Sequence, residues 1–408
     1  MFTRWFLQEK RAYGRLSPQA RSLVISFFLF SLAQPFLFVF ASTFLWRDFQ
    51  SVPIILLYNA AFFFGLPAGF FINAALLRYV SANTLYAWGC VLQGIAVALL
   101  VFADGMTPIM IPLFGIAYGI AGGLFWGNRN VFTVCATSSH DRIYFASIEN
   151  LVATVTSIIM PLAIGWAIVG GSSVRLYAPE TAYRVLSIVA VVLLACTGLV
   201  LRGKPFCLKP PSRLFVRHIG SVWTRWRLVA LLEGLASGMD MVLPTVIAIL
   251  FIGMEGEIGS LRSAIAIISS LTMYIIGRTA KTHARKNLLT LGILLSMIGW
   301  VGFGLLFSAS GVIFMSIASA FGSSLFWLGF SSAMYDAVEE EERASGWSSF
   351  SLLSDRELFL NIGRIGAVSI IFLAWYAIGS AWSLRLLPVL IYATQLYLPS
   401  LISSRTRT

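Results

Sequence analysis

The chain reads as an all-α integral membrane protein of about twelve transmembrane helices in two six-helix bundles, with both termini cytoplasmic. Three observations predict this. First, 58% of its 408 residues are hydrophobic and 11% are charged, with a mean hydropathy of +0.84. Soluble domains carry roughly 25% charged residues. Second, several apolar runs exceed the ~18 residues that a spanning helix needs. That length excludes barrel strands, which are shorter and alternate. Third, the basic residues are unevenly placed. Lys and Arg crowd into the first 21 residues, into 202–227 and into 278–286, whereas Arg47, Arg175, Arg184, Arg262 and Arg385 fall at the opposite span ends. The positive-inside rule then puts both chain ends in the cytoplasm.

The net charge of +12 is therefore topology and contact with anionic headgroups, not a nucleic-acid footprint. The chain is expected to be a monomeric multi-pass protein of a bacterial cytoplasmic (inner) membrane, with a small-molecule substrate, protons or another coupling ion, and membrane lipids as its partners. Cys90, Cys135, Cys196 and Cys207 are widely spaced. They form no metal-type cluster and no structural disulfide is expected. His140, His218 and His283 fall in loops and read as loop residues rather than ligands. No phosphate loop of the form G-x-x-x-x-G-K-S/T occurs. Neither a nucleophile–base pair nor a metal set is apparent, so no enzyme and no cofactor is expected.

Residues 1–21 form a basic interfacial segment containing Trp5, Phe6, Lys10 and Arg11. The first span, 22–46, is too long for the core of a cleaved signal, and carries Gln34 and a bending Pro35. Span two, 51–77, holds the neutral polar Tyr58 and Asn59, and span three is 83–103. Span four, 107–136, has Gly119, Gly122 and Gly123, which permit close helix approach, before Trp126 and Arg129. Span five, 144–170, begins near Glu149 and presents Asn150, Thr154 and Ser157 as a polar stripe. Span six is 183–201 and closes the first bundle, 22–201.

The segment 202–227 is a cytoplasmic linker. Pro205, Pro210 and Pro211 break the chain. Arg213, Arg217, Arg225 and Arg227 then interleave with Leu214, Phe215, Val222, Trp223 and Trp226, predicting a short amphipathic helix on the leaflet surface. The second bundle, 228–402, contains spans at 228–252, 259–277, 287–307, 311–335, 349–376 and 382–402, followed by a cytoplasmic tail, 403–408. The run Glu339–Glu342 reads as a solvated loop cluster that could pair with the basic 278–286 loop.

The halves share internal similarity. Leu124, Phe125 and Trp126 recur as Leu325, Phe326 and Trp327, and in the same register Asp141–Arg142 matches Glu342–Arg343 and Gly165 matches Gly366. Coincident register in equivalent spans points to duplication. Trp126 and Trp327 read as packing residues.

Eight charged residues lie inside spans: Arg129, Glu149, Glu233, Asp240, Asp355, Arg356, Glu357 and Arg364. Each costs at least ~2.5–3.5 kcal/mol at mid-bilayer, so such residues face a bundle interior or a wet cavity. Glu233 and Asp240 are seven residues apart, roughly 10 Å along one helix face. Low-dielectric surroundings favour a neutral carboxylic acid, so proton coupling is one reading of this pair. A fixed partnership with a buried arginine is the other. Glu357, Asn361 and Arg364 form one stripe at i, i+4 and i+7, with Arg356 about 100° away. Arg364, near mid-span, is the candidate substrate-facing cation. Arg356 and Glu357 read as structural or gating. Arg129 and Glu149, at similar depth on consecutive spans, form either a structural pair or a switch that exchanges Glu149 for an anionic solute.

The whole architecture resembles the Major Facilitator Superfamily. The family's loop between helices two and three reads roughly G-x-x-x-D-R-x-G-R-R/K. The second half offers Gly277, Lys281, Ala284, Arg285 and Lys286, and the first half offers Gly69, Asn73 and Arg78. The loop acid is replaced in both, which implies that the intracellular gate it builds in the family is weaker or differently made. The family's helix-five antiporter motif survives only as Pro161 and Gly165. In this fold helices three, six, nine and twelve are peripheral, and the eight buried charges avoid all four.

The resemblance implies a secondary active transporter of a small organic solute working by alternating access, proton-coupled and operating as an exporter or antiporter. Candidate substrate and coupling residues are Asp240, Arg364, Glu233, Asn361, Gln34, Asn150, Thr154 and Ser157. Candidate gating or structural residues are Arg129, Glu149, Arg356, Glu357, Asn73, Arg78, Arg285 and Lys286. A lipid or headgroup flippase of the same fold, or a non-transporting membrane sensor or scaffold, are the alternatives.

Overall fold

The computed structural model describes residues 13–14, 16–137, 142–204, 206, 216, 219–279 and 285–403. The three histidines, Lys281, Ala284, Asp141, Cys207 and the prolines of the linker lie outside the described residues, as does most of the basic segment 1–21. Among the described residues, twelve helices are long and apolar enough to cross a membrane. They are α1 Pro18–Phe49, α2 Val52–Leu76, α3 Ala82–Phe102, α4 Ile111–Ala136, α5 Arg142–Ser173 and α6 Pro179–Val200 in the first half. The second half has α7 Ser221–Phe251, α8 Glu255–Thr279, α9 Arg285–Leu306, α10 Ala309–Ser345, α11 Ser349–Ala377 and α12 Ser380–Ile402.

Local chemistry sets the helix ends. Ser17 caps α1 by accepting from the Ala20 N–H at 3.0 Å, and Ser81, Ser308 and Ser348 cap α3, α10 and α11 in the same way. Proline occupies an early position in α1, α2, α4, α6 and in the turn before α4, where its missing N–H costs nothing. Pro35 is followed by one π-helical stretch, Phe36–Phe40, in the middle of α1. A proline that removes an interior hydrogen bond is a recognised cause of such a local change in winding.

Helix packing repeats between the halves. In the first half α2 packs on α4, α3 on α4 and α6, and α1 on α5; in the second α8 packs on α10, α9 on α10 and α12, and α7 on α11. The duplication seen in sequence register is therefore also a duplication of packing partners. The largest contacts between the halves are α5 against α8 and α2 against α11.

Two sequence expectations need correction. The separate interfacial helix predicted within 202–227 does not exist over its last seven residues, because Ser221–Phe251 is one continuous helix. Trp223 and Trp226 are buried, and Arg227 grips Asp355 of α11 through two nitrogens at 2.7 and 2.8 Å. Trp223 Nε1 donates to the same carboxylate at 2.9 Å. The acidic run Glu339–Glu342 is also not a loop; it forms the end of α10. Glu341 is buried and accepts from the Gly220 N–H at 3.1 Å, at the start of α7. A carboxylate there meets both an unpaired amide and the positive end of the helix dipole. Arg285 pairs with Asp336 of α10, at 2.8 Å on the surface.

Candidate functional site

A cavity of about 500 Å³ lies between the halves. Alternating helix direction defines two ends, the one where α1 begins and α12 stops (the terminus side) and the opposite, far side. The lining starts in the far half at Val39, Thr245 and Arg262, and reaches Phe70, Asn130 and Glu357 near the terminus side. Its walls are largely aromatic, with Phe30 and Phe38 of α1, Phe62 and Phe70 of α2, and Tyr118 and Trp126 of α4. Trp126, read from sequence as a packing residue, is thus part of the cavity wall, held edge-on against Phe30 and Phe125.

Few polar groups break this wall, and most come from the second half. Arg364 Nε donates to Ser237 Oγ at 3.1 Å and its Nη1 to Asn361 Oδ1 at 3.3 Å, with the guanidinium 5.7 Å from the Phe63 ring. Arg262 Nη2 donates to Thr245 Oγ1 at 2.5 Å. Among the described residues neither arginine is in an ion pair; their partners are hydroxyls and an amide. Ser237 and Thr245 are eight residues apart on α7, about 12 Å along its axis, with Asp240 between them. Asp240 Oδ2 accepts from Tyr392 of α12 at 2.5 Å. Gln34 and Gln93 supply neutral polar groups from the first half.

The other charged residues singled out within the spans are paired. Arg129 Nη2 meets Glu149 Oε1 at 2.7 Å, and its guanidinium stacks on Phe27 at 4.2 Å. Arg356 Nη2 meets Glu233 Oε2 at 2.6 Å and its Nη1 meets Glu357 Oε1 at 3.1 Å. Glu233 is thereby the carboxylate of a buried pair between α7 and α11, and Glu357 shares its arginine while also lining the cavity. Asn150 is exposed, and Asn150, Thr154 and Ser157 do not line this cavity. Ser157 Oγ donates back to the Thr154 carbonyl at 2.9 Å.

The far end is closed by contacts across the halves. Arg47 of α1 donates through Nε and Nη2 to Glu255 of α8, and Tyr183 of α6 donates to the same carboxylate at 3.1 Å. Trp166 of α5 donates to Ser260 of α8 at 3.0 Å. Beside them the α5 and α8 backbones touch: a side chain on Gly165 would collide with the Glu255 carbonyl, and one on Gly259 with the Pro161 carbonyl.

A sequence model of the Major Facilitator Superfamily matches residues 23–355. The chain belongs to that superfamily. No curated protein sequence matches it. Among solved structures, this superfamily member is similar to the nucleoside transporter NupG, a point mutant, with a TM-score of 0.66 at 14% identity over 94% of this chain and 98% of that one. It is also similar to a bacterial homologue of the human lysosomal transporter Spinster, inward-facing and occupied (0.64, 14%, 94% and 95%). A third is a POT family transporter with a thioalcohol-conjugated peptide (0.69, 11%, 94% and 96%). At these identities the likeness is one of fold. The protein is accordingly a multi-pass integral membrane protein of the transporter fold.

In this superfamily member the degenerate loop motifs take a neutral form. Asn73, in the place of the family's acid, accepts from Asn128 Nδ2 at 2.6 Å, and both side chains are buried. Arg78, Arg285 and Lys286 lie on the terminus side, with Arg78 and Lys286 exposed. Sequence reasoning missed three site residues. Arg262 was assigned to a span end, but α8 starts at Glu255 and puts it two turns inside. Gln93 and Tyr392 sit on α3 and α12, helices taken as peripheral; each turns a polar group inward. Their polarity within otherwise apolar spans was the available signal.

Proposed function

We propose that this protein is a secondary active transporter that moves a small organic anion or zwitterion by alternating access, in exchange for protons. The observation that carries the reading is the pair Arg262 and Arg364. Two guanidiniums that line one cavity and hydrogen-bond only to neutral groups retain their charge for a ligand. An arginine in a structural pair would be neutralised, as Arg356 is. The aromatic wall accommodates a planar or apolar body, and Gln34, Gln93 and Asn361 supply orienting hydrogen bonds.

Asp240 is the coupling group in this reading. It lies on the same helix between the anchors of the two arginines, so a proton gained or lost there changes the charge of the cavity. The loaded and unloaded cavities then differ in their preference for the two orientations, which is what coupling requires. Opening toward the cytoplasm follows if the positive-inside orientation holds, since the closed end is the far side.

The test combines a thermal-stabilisation screen of organic anions with flux in proteoliposomes under an imposed pH gradient. Flux that Arg364→Gln abolishes and Asp240→Asn uncouples from the gradient is the expected result. Transport unchanged in both variants overturns the reading. Lipid scrambling insensitive to the gradient points to a flippase, and movement of neither solute nor lipid points to a sensor or scaffold.

A further inference from the structure

Behind Asp240 lies a second, smaller cavity of about 70 Å³, partly open and formed within the second half between α7, α9, α10 and α12. Asp240 lines both cavities. Most side-chain polar groups on the smaller one are oxygen-bearing, namely the carboxylates of Asp240 and Glu233, the hydroxyls of Ser237, Ser296 and Ser323, and the amide of Gln395, with the Trp327 indole as a nitrogen donor among them. Tyr392 is engaged with Asp240. Among the described residues neither lysine nor arginine lines it.

Gln395 carries a separate signal. Its side chain is 1% exposed. Nε2 donates to the Leu232 carbonyl at 2.7 Å, which fixes the orientation of the amide because a carbonyl can only accept. Oε1 is left buried with no hydrogen-bond partner. An unpaired buried acceptor carries a desolvation cost that a ligand would remove. A cation is the ligand that suits an amide oxygen, hydroxyl lone pairs and a carboxylate together, since hard cations take oxygen donors.

We propose that this side cavity binds a single monovalent cation of sodium size, and that the cation shares the Asp240 carboxylate with the coupling proton. Charge sets the valence. Glu233 is already neutralised by Arg356 at 2.6 Å, leaving Asp240, among the described residues, as the one uncompensated carboxylate on the cavity. A divalent ion would leave a net charge in a desolvated site, which is expensive. Size sets the hydration: with about 30 Å³ per water, the space holds the ion and about one water. The other titratable or charged groups facing Asp240 from neighbouring elements are Tyr392, Glu233, Glu357, Arg262 and Arg364. Hydroxyl donors favour a cation over a second proton, because a proton engages one oxygen and leaves the rest of the donor set unused. The coupling role of this ion rests on the transport reading, whereas its binding does not.

The experiment is the melting temperature of the purified full chain in sodium, potassium or choline chloride at equal ionic strength, at two pH values, with direct binding of radioactive sodium. A saturable rise specific to sodium, weakened at acid pH by proton competition at Asp240, is the expected result. Asp240→Asn and Gln395→Leu remove the rise, and Ser323→Ala, a milder change, lowers sodium affinity about tenfold. Arg364→Gln keeps the sodium response while weakening organic-anion binding, so failure of the transport reading is distinguishable from failure of this one. Identical melting in the three salts overturns the proposal, as does a sodium response that survives both Asp240→Asn and Gln395→Leu. Should Asp240→Asn not fold, unchanged sodium binding in Ser323→Ala and Gln395→Leu overturns it equally.

Discussion

Arg47 donates to the Glu255 carboxylate through both Nε and Nη2, at 2.9–3.1 Å, across the boundary between the two halves. Glu255 is buried to 5% exposure and stands in the first turn of α8, where the helix dipole also favours its charge. Tyr183, itself bonded to Thr43 at 2.6 Å, adds a third donor. One carboxylate thus ties α1 and α6 to α8 at the closed end.

Glu255→Gln should loosen that end. The charge-assisted pair becomes a neutral contact, and a two-state orientation shifts by about tenfold for each 1.4 kcal/mol lost. The readout is a cysteine placed at Val39 in a chain otherwise free of Cys90, Cys135, Cys196 and Cys207, labelled from the far face by an impermeant maleimide. Labelling should accelerate roughly tenfold in Glu255→Gln. An unchanged rate would mean that the α5–α8 backbone contact closes the end without the ion pair.

The Glu233–Arg356 pair should behave as a structural element. Both side chains are nearly inaccessible, and removing one partner of a buried pair costs about 3–5 kcal/mol. Glu357 at 3.1 Å offsets part of that cost for the arginine. Glu233→Gln should therefore lower Tm clearly, and Glu233→Gln combined with Arg356→Gln should recover much of the loss. If the double variant is as unstable as the sum of the singles, the two residues do not act as a pair.

Much of this fold was legible because a bilayer demands long apolar helices, and each span leaves its mark in hydropathy. Arg129 and Glu149 were readable as neighbours because consecutive antiparallel spans bring residues of equal depth together. Asp240 and Tyr392 are 152 residues apart, and nothing local to either names the other. Arg262 was hidden by a boundary error of four residues, since Glu255 and Glu257 look like loop residues until they are seen in the first turn of α8. Glu341 was hidden by its neighbours: four consecutive glutamates read as a solvated run, while helical spacing turns one inward to Gly220.

Gly363 should be intolerant of even a methyl group. A Cβ there would collide with the Leu231 carbonyl of α7, and the reciprocal Cβ on Gly234 with the Leu360 carbonyl. The two backbones touch one residue away from Arg364 and three from Ser237. Gly363→Ala must separate α7 from α11 and stretch the 3.1 Å Arg364–Ser237 bond. Both Tm and organic-anion binding should fall together, whereas Gly366→Ala, which meets only the Leu235 side chain at ordinary contact distance, should change neither. Equal tolerance at the two glycines would refute the close approach.

Restoring the family's acid with Asn73→Asp should destabilise rather than strengthen the terminus-side end. The site is 1% exposed and offers one amide donor, Asn128 Nδ2. A buried carboxylate with one neutral partner is costly, and the neutral acid costs less. The Tm deficit of Asn73→Asp should therefore be largest at alkaline pH and shrink as pH falls. A deficit that is the same at all pH values would show that the carboxylate has found a cation.

Arg262 and Arg364 should contribute to ligand affinity independently. Their anchors, Thr245 and Ser237, lie about 12 Å apart along α7, too far for one carboxylate to accept from both guanidiniums. A bound solute engaging both must carry two polar groups, and each arginine then holds its own. Arg262→Gln and Arg364→Gln should each weaken binding of a stabilising organic anion by about tenfold, or ~1.4 kcal/mol. The double variant should lose the sum to within ~0.5 kcal/mol, as uncoupled sites do. Measured by titration calorimetry, a double variant no weaker than either single would mean that both arginines grip one group, and that the cavity contracts around its ligand.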